Sequence, residues 1–120
     1  MANPISWFEI PTADFQRAIE FYNAILGINL VGVDAEAIKL ASFPAENGLG
    51  GALVYHENYV PSFNGTTVYL TVEGDLALTL AKIEELGGTI VIPKTALHTG
   101  GFFAQFTDLE GNRVGLMSHS

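Results

Sequence analysis

Two histidines, His56 and His119, stand sixty-three positions apart, and that interval recurs through the sequence. A pair of imidazoles on equivalent strand ends can hold a divalent metal; the same positions also suit rim residues that bind none. His98, beside Thr99-Gly100-Gly101, belongs either to a lid that closes over a ligand or to a solvated loop. The absence of cysteine removes disulfides, thiol nucleophiles and thiolate metal sites. No serine occupies a nucleophile elbow, and Gly48-Leu49-Gly50-Gly51 falls in a hairpin instead of opening a helix, so it is no phosphate loop. Asp108 and Glu110 sit in a D-x-E-G-N run, where Asp and Gly serve the geometry of a turn.

The elements that must position these residues come as a duplicated unit. Trp7 to Gly27 lies over Thr67 to Gly87 at an offset of sixty, with Phe8 on Val68, Ile10 on Leu70 and Leu26-Gly27 on Leu86-Gly87. Lys39 to Val54 lies over Phe102 to Met117 at sixty-three, with Ala41 on Ala104, Phe43 on Phe106 and Leu53 on Leu116. Two blocks in the same order predict two copies of one module, with any site where they meet. In the first copy a strand is predicted over Ile5 to Ile10. A helix follows, capped by Thr12 or Asp14, striped by Phe15, Ala18, Ile19, Tyr22, Ile25 and Leu26, and closed by Gly27. Strands then follow at about 29–33, 37–43 and 51–56, the last two joined by a turn containing Asn47-Gly48. The second copy repeats the order, with a strand at 67–72, a helix at 75–86, and strands at 89–92, 102–107 and 113–118. Residues 57–66 read as the connector, and 93–101 as an irregular stretch without a counterpart in the first copy. The organisation is α+β, two βαβββ modules (about 5–56 and 67–118) in a single domain over 1–120.

Composition narrows the partners. Thirteen acidic side chains against five basic ones give a net charge of −8, which disfavours a nucleic-acid backbone. Only 15% of residues are charged and 48% are hydrophobic, so apolar surface is left over and a homodimer is expected. No run approaches eighteen apolar residues, and Met1-Ala2-Asn3-Pro4 leads directly into strand-like sequence. The expectation is a soluble cytoplasmic protein with no membrane partner.

Phe8-Glu9-Ile10, Asp14, the run Ala18 to Gly27 (AIEFYNAILG), and Phe103-Ala104 through Asp108-Leu109-Glu110-Gly111-Asn112-Arg113 together resemble the vicinal oxygen chelate superfamily of glyoxalase I, extradiol dioxygenases and bleomycin-resistance proteins. The resemblance implies that the modules form a cup-shaped mixed sheet with the active site inside. It also implies a metal held by His, Gln or Glu from the first and fourth strands of each module. The matching positions here are Trp7, Thr67, Ala52 and Gly115, which supply no adequate donor set, so neither metal nor other cofactor is expected.

Residues two apart on a strand share a face, which puts Glu9 with Trp7, Tyr69 and Thr71 with Thr67, Val54 and His56 with Ala52, and Met117 and His119 with Gly115. Ser42 and Gln105 are further lining candidates. The ligand-binding set is therefore Trp7, Glu9, Val54, His56, Thr67, Tyr69, Met117 and His119, facing a small organic molecule. Trp7 and Tyr69 either wall that ligand or merely fill the cup. Glu9, the candidate catalytic residue, is a base raised by burial, an anchor for a cation, or a structural carboxylate. Two alternatives stay open: a metal-dependent glyoxalase-type lyase, isomerase or dioxygenase with displaced ligands, and an acidic drug-binding resistance protein.

Overall fold

The computed structural model describes residues 4–45 and 49–120, so the Asn47-Gly48 turn lies outside the described residues. The elements run β1 (Trp7–Pro11), α1 (Phe15–Leu26), β2 (Gly32–Ala35), β3 (Ile38–Ser42), β4 (Gly50–Tyr55), β5 (Tyr69–Thr71), α2 (Leu76–Glu85), β6 (Thr89–Ala96), β7 (Phe102–Thr107) and β8 (Arg113–Ser118). They form two four-stranded mixed sheets with matching orders, β1-β4-β3-β2 and β5-β8-β7-β6. In each, the first strand runs parallel to the fourth and the others are antiparallel. The duplicated βαβββ α+β fold is thus the one the repeat predicts.

Local chemistry explains the helices. The Asp14 carboxylate accepts from Arg17 N at 3.2 Å to cap α1, and Gly27 ends it in the left-handed region at φ 65°. Asp75 accepts from Ala77 N at 2.9 Å to cap α2. Ala18, Ile19, Tyr22 and Ile25 on α1, and Leu76, Leu80 and Ile83 on α2, face one core shared with Ile10, Leu53, Leu70, Phe106 and Leu116 from the sheets. Phe21 and Tyr22 of the first module reach Phe106 of the second, with ring centroids 6.1 and 6.4 Å apart. Each sheet therefore gives one face to a common interior and leaves its other face outward.

Some strand limits differ from expectation. The second strand begins three residues later than the predicted 29–33 and ends two residues later. The fifth begins at Tyr69, leaving Thr67 just ahead of it. The stretch 93–101 is not irregular throughout, because β6 continues to Ala96 and only the turn at Leu97 to Gly101 remains. Two register shifts, between Ile90 and Ile92 and between Ile92 and Thr95, break the alternation that would have marked a long strand.

The turn between β7 and β8 locks the modules together. Asp108, 6% exposed, receives four hydrogen bonds: Glu110 N and Asn112 N at one oxygen, the Tyr22 hydroxyl at 2.9 Å and Asn112 Nδ2 at the other. Glu110 goes further than turn geometry requires, since its carboxylate accepts from Asp14 N at 2.9 Å and lies 3.8 Å from the Arg17 guanidinium. Asn112 Nδ2 also donates to the Pro11 carbonyl. Burial pushes the Asp108 carboxyl above its ordinary range, and the donated hydrogen bonds hold that rise in check. Burial, and then the charge of Asp108, raises the Tyr22 hydroxyl well above its usual value.

Folded Tyr22 keeps its proton where the unfolded chain has released it. Its contribution to stability is full below the unfolded value of about 10 and falls as pH rises beyond it, by up to ~1.4 kcal/mol per pH unit. Tyr22→Phe is expected to lose about 1–3 kcal/mol at neutral pH, by removing one donor from a buried carboxylate. It should also flatten that alkaline decline. Urea denaturation between neutral pH and about pH 11 checks both, and equal alkaline slopes in the two proteins would refute the assignment.

Candidate functional site

The outward faces carry the residues of interest, and strand pairing fixes which they are. Glu9 pairs with Ala52, so Trp7, Glu9, Ala52 and Val54 share the open face of the first sheet, while Phe8 and Ile10 turn to the core. Tyr69 pairs with Gly115 and Thr71 with Met117, which gives the open face of the second sheet. On β7, Phe103 is opposite Met117 and Gln105 opposite Gly115, so both join that face. Trp7 is 47% exposed, Tyr69 41% and Met117 42%, whereas Ala52 and Val54 are fully buried and form the floor.

Two contacts order these faces. The Trp7 indole N–H donates to Glu9 Oε2 at 3.2 Å, holding the ring beside the carboxylate. Gln105 Nε2 donates to the Tyr69 hydroxyl at 2.7 Å, and the Tyr69 and Phe103 rings lie 6.5 Å apart. Tyr69 lies flat over Gly115, where a methyl group would overlap its ring. Gly51 does the same for Phe8 on the core side of the first sheet. The second module's fourth strand therefore carries glycine at its ligand-equivalent position because an aromatic ring from β5 already occupies that space.

The donor set does not suit a metal. Trp7 and Ala52 offer no ligating atom, Gly115 no side chain, and Thr67 stands outside the strand with a single hydroxyl. Among the described residues no three His, Asp or Glu side chains converge. His56 lies just past β4, half-buried, where its Nδ1 accepts from Asn58 N at 3.0 Å and its ring lies against Tyr59. That nitrogen's lone pair thus serves the start of the connector. His119 lies past β8 and His98 in the turn after β6, both exposed.

Of the predicted set, Trp7 and Glu9 come together on one open face, Tyr69 with Gln105 and Met117 on the other. Val54 is floor, Ser42 is exposed opposite Ala52, and Thr67, His56 and His119 are strand-end residues. Phe103 was not anticipated; its equivalence with Leu40 in the repeat and its place two residues before Gln105 were the available signals.

The model of the Glyoxalase/Bleomycin resistance protein/Dioxygenase superfamily matches residues 4–116. No curated protein matches the chain. Among solved structures, a glyoxylase/bleomycin resistance protein/dioxygenase domain from Frankia sp. superposes with a TM-score of 0.74 at 19% identity, covering 98% of this chain and 93% of the other. A glyoxalase/bleomycin resistance protein from Albidiferax ferrireducens gives 0.70 at 20%, covering 98% and 100%. A glyoxalase I mutant from Zea mays gives 0.65 at 20%, with 97% of this chain covering 46% of that longer one. At these identities the likenesses establish the fold, and the family match over nearly the whole chain establishes more: this chain belongs to the Glyoxalase/Bleomycin resistance protein/Dioxygenase superfamily.

Proposed function

We propose that this chain is a metal-independent binding member of its superfamily, taking a small organic molecule against the Trp7 and Tyr69 walls. The observation that carries the reading is the Tyr69 ring lying over Gly115 and tied down by Gln105. An aromatic surface with a fixed polar tip stands where a ligating side chain would be required, which favours contact with an apolar or planar molecule. Glu9, held by the Trp7 indole, supplies the adjoining charge.

The same reading includes a homodimer. Trp7, Val33, Tyr69 and Met117 on the open faces leave apolar area in water. Pairing the first-module face of one copy with the second-module face of another covers both at once and generates two equivalent cavities. Sedimentation equilibrium is expected to give a dimer in the micromolar range, shifted towards monomer by Met117→Glu. A monomer throughout that range would remove this part of the proposal.

Protein purified without chelators is expected to contain no stoichiometric Zn, Ni, Fe or Mn by elemental analysis. Trp7→His returns one imidazole without partners, so metal binding stays weak. The indole is half exposed, which keeps the stability loss below the ~3–5 kcal/mol of a buried aromatic. Tight, stoichiometric metal in either protein would overturn the metal-independent reading.

A thermal-shift screen against metabolites and cationic drugs identifies the ligand class, with the fluorescence of the single tryptophan as a second readout. Gly115→Ala must displace the Tyr69 ring, so the hit should bind at least tenfold more weakly while the fold loses about 1–3 kcal/mol. Unchanged affinity in Gly115→Ala would show that the ligand does not use the Tyr69 wall.

A further inference from the structure

We infer that the seam between the modules holds a site for a small zwitterion, a molecule with a carboxylate for Arg113 and an ammonium group for Glu9. A cavity of about 180 Å³ opens there, lined by Glu9 and Arg113 together with Ser62, Asn64 and Thr66 of the connector. Ile10, Val68 and Val114 give it an apolar wall. It shares Glu9 with the open-face ligand site and is otherwise lined by different residues.

The two charges are what distinguish this cavity. The Arg113 guanidinium carbon lies 5.0 Å from the Phe63 ring centroid, and its Nε is buried with no hydrogen-bond partner. Among the described residues the ion pairs are those of Arg17, Lys82 and Lys94, so Arg113 neutralises no carboxylate. Among the described residues Glu9 receives a single hydrogen bond, from the Trp7 indole. Opposite charges thus line one small space without pairing with each other, and a buried N–H without an acceptor is a group that native structures rarely leave so.

The ligand class follows by charge and size. The planar guanidinium fork matches a carboxylate through two adjacent N–H groups, one of them the buried Nε–H that has no acceptor. A simple anion meets repulsion from Glu9 and from a chain of net charge −8, and a simple cation meets Arg113. A zwitterion satisfies both groups at once. The volume admits an α-amino acid with a short aliphatic side chain, whose methyl or ethyl group suits the wall of Ile10, Val68 and Val114.

The chain contains one tryptophan and two arginines, so the Trp7 indole N–H and the Arg113 Nε–H are each resolvable in a ¹⁵N-labelled sample. Titration with L-alanine is expected to move both peaks saturably with a single dissociation constant. Propionate, which has only the carboxylate, and ethylamine, which has only the ammonium, should bind at least tenfold more weakly. Arg113→Gln and Glu9→Gln should each weaken alanine tenfold or more. If Arg113→Gln does not melt cooperatively, Arg113→Lys replaces it, since lysine keeps the charge and loses the fork. Absence of saturation with alanine, propionate binding as tightly as alanine, or unchanged alanine affinity in the variants overturns the proposal. The cup reading is judged separately, by Gly115→Ala, which does not touch this cavity.

Discussion

One buried carboxylate, Asp108, sets how the two halves of this molecule meet. Taking a carboxylate out of water is costly unless nearly every lone pair is engaged, and here the turn that contains it provides three of four donors. The fourth comes from Tyr22, on a helix of the other module. That long-range bond ties α1 to the turn between β7 and β8 of the second module, and Glu110 and Asn112 then engage Asp14 and Pro11 from the same turn. With the helices directed into one interior, the remaining sheet faces have no alternative but to point outward. The chemistry available to the protein is a consequence of that orientation.

The outward faces are not symmetric, although the modules that build them are. On the first, Trp7 stands beside a carboxylate; on the second, Tyr69 is held by an amide over a bare strand. A ligand bridging such faces between two copies would meet an acidic wall and a neutral one. The duplicated scaffold thus provides one geometry twice, and side-chain differences make it two environments.

Much of the architecture was legible in the chain because the repeat aligns both helices and three of the four strands of each module. Helix limits were read well, since Asp14, Gly27 and Asp75 act through local backbone geometry. The strands were harder. β6 hides behind Pro93 and two shifts of register, and β5 is too short to include Thr67. At the candidate site, alternation along the strands put Trp7 with Glu9, and alternation counted from the family's ligand-equivalent positions put Tyr69 with Met117. It could not reveal that Tyr69 covers Gly115, that Glu110 caps a distant helix, or that Arg113 and Glu9 line one cavity. Those contacts join residues far apart in sequence, and no local spacing encodes them.

The two register shifts in β6 have a further effect. Among the described residues this eight-residue strand is the longest, and it lies at the edge of its sheet with no neighbouring strand on one side. A straight, apolar edge of that length would be a template for strand addition from another molecule. The bulges bend it, Pro93 removes a donor, and Lys94, fixed between Asp75 and Phe102, places a charge beside it. A net charge of −8 opposes association over the surface as a whole. At this edge the shape of the strand adds a second, local obstacle.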